Sequence, residues 1–456
     1  MVQRFAPCSI PRIAVACQGG GIHGAFTSGV LDAILECRLR RRKTHAQTGP
    51  PFTICGLSGT SAGALNAFAV WYALHSYRRP LCYLEARRAL ARLWREFSAQ
   101  TWPEKLANEA GNTGLQLRKL GWPIAPPPVP FIEMVLAAIP YYNRLASLWA
   151  TSSLYGGGNP RNWRVRAEYY DFDALLACIA PQFDALQSSG LRPPYTTRYP
   201  RLLVGAADVM SGEFQAFDSF KEGVSGISFD AIKASGTLPE VSRAQTIGST
   251  AGAGESSRYW DGMFSQNPPI RNFLEQDVPA ENKPDEIWVI RINPQSRRLE
   301  PSGLAAIEDR KNELAGNLSL NQELDFVCKV NEWLRAGVIC NSNYKPIDVY
   351  AIAMPDELSD TLDVASKFDR SGDFIAHLRK AGYERGRLFM RLWLNDRRRL
   401  TKWMSHGKLA HADAVPSPAA LARSLPASAD VDGTPTSSAR YCDCGAPLPD
   451  SPTSSE

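Results

Sequence analysis

Three short stretches carry residues whose types and spacing suit acyl-transfer chemistry. In GLSGTSAGALNAFAV, residues 56–70, the run Gly59-Thr60-Ser61-Ala62-Gly63 is a G-x-S-x-G pattern standing where an apolar run hands over to a helical one. A serine on so sharp an elbow takes a strained backbone, and glycines two residues to either side remove contacts that a Cβ would make. Its Oγ is then left exposed at the end of the strand. The helix behind it adds backbone N–H groups and a positive dipole end. The same pattern also occurs as a plain small-residue turn, so this motif alone leaves both readings open.

The second stretch is CQGGGIHGAF, where Gly19, Gly21 and Gly24 fit G-x-G-x-x-G. As a dinucleotide loop it would need an acidic residue about twenty positions on to hold a ribose. The chain has RLRRRKTHAQ there, and its second apolar run ends in GLSG. Successive glycines also expose backbone N–H groups, the makings of a hole for the oxyanion of a tetrahedral intermediate. The third stretch, RYWDGMFSQNPPI, offers Asp261-Gly262, either a common turn dipeptide or a carboxylate base. Histidine bases are scarce among His23, His45, His75, His377, His406 and His411. A Ser-Asp-His order has only His377 to use, and folds of that kind place several strands before the elbow.

The elements that must position these residues follow from the pattern. RIAVAC, residues 12–17, reads as a buried strand stopped by glycines, and GAFTSGVLDAILECRL has apolar residues at helical spacing. FTICGLS is a second strand, followed by a helix over about 62–76. Strand, glycine loop, helix, strand, elbow, helix is the opening of a parallel α/β sheet. Residues 100–165, with WPIAPPPVP and LYGGGNP, read as an irregular insertion placed to act as a lid. Strands return in RLLVGAADV, EFQAFDS and DEIWVIRINP, and two long helical patterns follow, from Ala306 and from Ser366. The folded domain is expected over 1–405; residues 406–456, rich in Ala, Pro, Ser and Asp, are expected to be a disordered tail.

Composition narrows the function. The chain has 456 residues, 44% of them hydrophobic, and a net charge of +5, which is a core-forming composition without the basic excess of a nucleic-acid binder. Its ten cysteines lie mostly in apolar surroundings and read as buried thiols in a reducing compartment. Cys442 and Cys444 are the one close pair, a weak metal signal without a second pair or a histidine beside it. IAVAC is too short for a signal-peptide core, and no apolar run approaches the roughly 18 residues of a membrane span, so a cytoplasmic location is expected. RLRRRK at 38–43 and RRR at 397–399 either hold an anionic lipid surface or complement helix ends. Trp102, Trp122, Trp149 and Trp163 either meet acyl chains or belong to the core.

Taken in order, the glycine loop at 19–24, the elbow at 59–63 and the late Asp-Gly at 261–262 resemble the patatin-like phospholipase family, over roughly residues 10–345. LLVGAADVMSGEFQAFDS and IKASGTLPEV resemble its strand-turn-strand and its small-residue segment. The resemblance implies a three-layer α/β/α sandwich with a central, mostly parallel sheet. It implies a serine lipid acyl hydrolase acting on phospholipids or other acylglycerolipids, with no metal or cofactor. Ser61 would be the nucleophile, Asp261 the base, the amides of Gly19, Gly20 and Gly21 the oxyanion hole, and Gly24, Gly59, Gly63 and Gly262 the supporting glycines. The chain departs from the pattern at His23, where the family usually has Arg or Lys, and at Met263, where Gly or Ala is usual. A non-catalytic lipid-binding module and a Ser-His-Asp esterase using His377 are the alternatives.

Overall fold

A computed structural model describes residues 10–44, 51–102, 104–106, 108–109, 112–113, 172–188, 199–238, 244–248, 256–297, 300–302, 304–363, 365–403 and 409–410. The expected lid over 100–165 and the pair Cys442 and Cys444 therefore lie almost wholly outside the described residues.

The strands are β1 Arg12–Cys17, β2 Thr53–Gly59, β3 Arg201–Asp208, β4 Phe214–Asp218, β5 Gln245–Ile247, β6 Ser257–Asp261, β7 Glu286–Arg291, β8 Asp348–Ala353, β9 Lys402–Trp403 and β10 Leu409–Ala410. Among the described residues they form one sheet in the order β10-β9-β8-β7-β1-β2-β3-β6-β5, with β4 paired to β3. The central run β8-β7-β1-β2-β3 is parallel. β4 and β6 both run antiparallel to β3, and β9 runs antiparallel to β8. The strands β9 and β10 fall at and just past the boundary expected at residue 405.

The helices are α1 Gly24–Thr44, α2 Ala62–Ser76, α3 Leu81–Phe97, α4 Phe172–Ile179, α5 Phe183–Ser188, α6 Phe229–Ser235, α7 Leu304–Arg335, α8 Asp356–Ser359 and α9 Gly372–Asn395. β1 shows why they split into two layers. Its Ile13, Val15 and Cys17 join one core with residues of α1, α2, α3 and α9, while Ala14 and Ala16 face the other, filled by Leu320, Leu324, Val327 and Val330 of α7. That period of two makes central strands such as β1, β7 and β8 apolar on both faces, as a sheet covered twice requires. The architecture is the α/β/α sandwich expected, its sheet mostly parallel. No described helix is long and apolar enough to cross a membrane.

α1 and α9 lie in unusually close contact. A Cβ at Gly382 would collide with the Phe26 carbonyl, and one at Gly386 would come within 2.8 Å of the Ala33 Cβ. The backbones meet there because no side chain separates them.

From β1 the chain moves to β2 and β3 on one side, and later returns to place β7 and β8 on the other. The loop after β1 is thus the switch point of the sheet, where the crevice of an open α/β fold opens beyond the carboxyl ends of the strands.

Candidate active site

The candidate site gathers at that switch point. β2 ends at Gly59 and α2 begins at Ala62, so Ser61 stands on the elbow between them. Its backbone has φ 56° and ψ −129°, and among the described residues it is the one non-glycine with positive φ. A conformation of that kind costs on the order of 1–3 kcal/mol and persists only where its surroundings enforce it. Here they do: Ser61 donates its N–H to Ser235 Oγ at 2.9 Å, and Gly63 N–H bonds the Thr60 carbonyl at 2.8 Å. A serine at a helix N-cap ordinarily accepts an N–H from the first turn. Ser61 makes no such bond, so its Oγ is not spent on capping.

The glycines of the sequence motifs are contact points rather than free joints. A Cβ at Gly63 would strike the Cys17 carbonyl, and one at Gly59 would strike Gly63, so the elbow fits against β1 only without side chains. Gly24 lies against Ala62 and Trp94, and Asn66 ties it further by donating to its carbonyl at 2.9 Å. A Cβ at Gly19 would lie 2.9 Å from the Ser61 Cβ, so the glycine loop and the elbow are in direct contact.

Asp261 ends β6 opposite Ala206 of β3 and is fully buried. Its N–H bonds the Thr237 carbonyl at 2.8 Å, and its Oδ1 accepts the Met263 N–H at 2.9 Å. The segment that fixes the Ser61 backbone through Ser235 therefore also fixes Asp261 through Thr237. Gly262 packs against Gly205, and a Cβ on Gly205 would be 2.7 Å from Thr60 Oγ1, placing the Asp-Gly turn beside the elbow. Thr60 Oγ1 donates to the Gln266 carbonyl at 2.6 Å. Glu323 of α7 accepts from Gln266, Ile270 and Arg271 and so anchors the chain that follows the aspartate.

In the glycine loop, Gly19 N–H donates to Asn267 Oδ1 at 2.7 Å. The Gly20 and Gly21 amides are engaged by no described residue. Behind the loop, Gln18 Oε1 accepts the N–H groups of Ile292 and Asn293 at 3.0 and 3.1 Å, and Gln18 Nε2 donates to Asn317. Asn66, Asn267, Gln18 and Ser235 carry this framework, and none of them is a motif residue in the sequence. Asn267 alone offered a signal, standing six residues beyond Asp261 and just before a proline.

Two of the described histidines are buried with partners of their own, and a third is exposed. His23 is buried and bonds Ser366 Oγ at 2.8 Å; burial, then the neighbouring Lys367, pushes its pKa well below the usual value, so the ring is neutral. His75 is buried with Nδ1 against the Trp71 carbonyl, and burial lowers its pKa to about 4. His377 lies exposed on α9. Of the basic runs, Arg38 is a core residue, 2% exposed, with its guanidinium over the Tyr83 ring, and Arg397 is paired with Glu286. Trp102 is exposed, while Trp122, Trp149 and Trp163 fall outside the described residues.

No curated protein matches in sequence. Among solved structures, VipD from Legionella pneumophila aligns over 84% of this chain and 66% of its own, with 11% identity and a TM-score of 0.30. The family model for patatin-like phospholipases matches residues 15–274, more than half of the chain, and its span takes in the glycine loop, the elbow and the Asp-Gly turn. The chain therefore belongs to the patatin-like phospholipase family, a family of lipid hydrolases.

Proposed function

We propose that this protein is a serine lipid acyl hydrolase in which Ser61 and Asp261 act as a dyad on ester-linked acyl chains of phospholipids or other acylglycerolipids. The observation that carries the reading is the strained Ser61 backbone, enforced by Ser235 and by close-packed glycines at the switch point of the sheet. Ser61 Oγ attacks the ester carbonyl as Asp261 takes its proton; the C–O bond to the alcohol then breaks, Asp261 gives that proton to the leaving oxygen, and the acyl-serine remains. Water, deprotonated by the same carboxylate, attacks the acyl-serine; the proton returns to Ser61 Oγ as the fatty acid leaves. In both steps the Gly20 and Gly21 amides hold the oxyanion, while Gly19, whose N–H donates to Asn267, shapes the loop. A carboxylate is a weak base for an alcohol, so the rate rests on a site preorganised around the developing charge. The lipid is the substrate. Hold on an anionic lipid surface would fall to groups such as Arg398 and Arg399, since Arg38 and Arg397 are engaged within the fold.

The test is hydrolysis of phosphatidylcholine vesicles and of a medium-chain p-nitrophenyl ester by wild type, Ser61→Ala, Asp261→Asn and His377→Ala. The dyad predicts two inactive variants and an active His377→Ala. Loss of activity in His377→Ala would favour a Ser-His-Asp esterase, and an inert wild type would favour a lipid-binding module.

A further inference from the structure

The oxyanion loop has a second support, supplied from outside the region matched by the family. The 3-10 turn Gly21–His23 packs against another, Ala365–Phe368. Gly21 has φ +59°, and a Cβ there would lie 2.5 Å from the Lys367 carbonyl oxygen and 3.2 Å from its Cβ. Backbone rests on backbone, so the position of the later turn limits the movement of the glycine loop at Gly21.

A side-chain latch joins the two turns. Ser366 Oγ lies 2.8 Å from the Asp363 carbonyl, 3.0 Å from the Asp363 N–H and 2.8 Å from His23 Nε2. A carbonyl can only accept, so the single hydroxyl proton goes to Asp363 and the oxygen receives the other two donors. That network assigns the proton of the neutral His23 to Nε2. His23 is 3% exposed, so loss of the acceptor would strand a buried polar nitrogen within the turn that begins at Gly21.

The latch is anchored on its far side too. Ala99 N–H bonds the Arg370 carbonyl at 2.8 Å, Arg370 N–H bonds Asn108 Oδ1 at 2.8 Å, and Asn108 Nδ2 donates to Asp369 at 2.9 Å. Arg370 Nε also reaches the Phe97 carbonyl at 2.7 Å. The turn is thus held by the end of α3 and the stretch beyond it, and it passes that fixity to the loop.

We propose that Ser366 is a positioning residue of the oxyanion hole, fixing the Gly20 and Gly21 amides through its hydrogen bond with His23. The proposal rests on the acyl-hydrolase reading and adds to it a residue beyond the matched family region. In this chain the last residue of that turn, His23, is held by a neutral hydrogen bond.

The test measures kcat and KM for a p-nitrophenyl ester, the rate of covalent inactivation by an alkyl fluorophosphonate, and urea stability, in wild type, Ser366→Ala and Ser366→Thr. Ser366→Ala is expected to lose about tenfold in kcat and in phosphonylation rate with KM nearly unchanged, because the loop donors matter most once negative charge develops. Ser366→Thr, which keeps the hydroxyl, is expected to regain most of that loss. Should Ser366→Ala fold poorly, the companion pair His23→Gln and His23→Ala gives the same contrast, with a donor kept in the first and removed in the second. Wild-type kcat and phosphonylation in Ser366→Ala, with only stability lowered, would overturn the proposal. A wild type inert to both ester and phosphonate would instead overturn the acyl-hydrolase reading, and the proposal with it.

Discussion

Replacing Asn267 by alanine asks whether the front of the glycine loop is set by a side chain 248 residues away in sequence but adjacent in space. Asn267 is 2% exposed and accepts the Gly19 N–H at 2.7 Å. Its removal leaves that N–H buried without an acceptor, at a cost of about 1–3 kcal/mol, and the lost amide group leaves a small cavity that adds about 1 kcal/mol. Asn267→Ala should therefore be destabilised by about 2–4 kcal/mol, read as a lower urea midpoint with unchanged slope. The catalytic effect is separate. Gly19 precedes the two proposed donors, and loss of one whole oxyanion donor costs about a hundredfold or more in kcat. A displaced loop weakens both donors without abolishing either, so a fall of about tenfold to a hundredfold in kcat is expected. KM should change little, because the ground-state carbonyl draws less on these amides than the oxyanion does. A variant that loses stability but keeps wild-type kcat would refute the reasoning, since the loop would then hold its geometry without Asn267.

Two further outcomes follow from buried groups. His75 has its pKa lowered to about 4 by burial, against about 6.5 in the unfolded chain, so between those values the unfolded state binds the extra proton. Stability is then full above pH 6.5 and falls as the pH drops towards 4, by about 3 kcal/mol at most from this group; the ring is packed on Trp71 and Tyr199. Urea titrations of wild type and His75→Gln across that range should show a shallower acid loss in the variant, and parallel curves would contradict the assignment. At the α1–α9 contact, Gly382→Ala gains about 1 kcal/mol of helix propensity but drives a Cβ into the Phe26 carbonyl. Overpacking of about 1–3 kcal/mol or more should win, and a variant more stable than wild type would show that the helices part freely.

Much of the framework is legible in the sequence because it is local. β1 and β2 announce themselves as apolar runs ended by glycine, α2 as the apolar helical run that follows, and the elbow is written in five consecutive residues. The second long helical pattern is a partial miss. The sequence reads as helical from Ser366, but the helix begins at Gly372. Asp363, Ser366 and Asp369 bond nearby backbone N–H groups with their own side chains, and such bonds compete with a helix. The basic run at 38–43 misleads for a related reason: Arg38 lies under aromatic rings in the core, which charge alone does not reveal. The supports of the site are invisible at this level because each pairs with a partner far along the chain, as Gly19 does with Asn267, Ser61 with Ser235 and His23 with Ser366. Only the folded sheet brings them together.

The central claim, that Ser61 is the nucleophile, is tested most directly by trapping. Wild type treated with an alkyl fluorophosphonate, digested and examined by mass spectrometry should carry one phosphonyl group on the peptide containing Ser61, and Ser61→Ala should carry none. An adduct on another residue, retained at full rate in Ser61→Ala, would contradict the account.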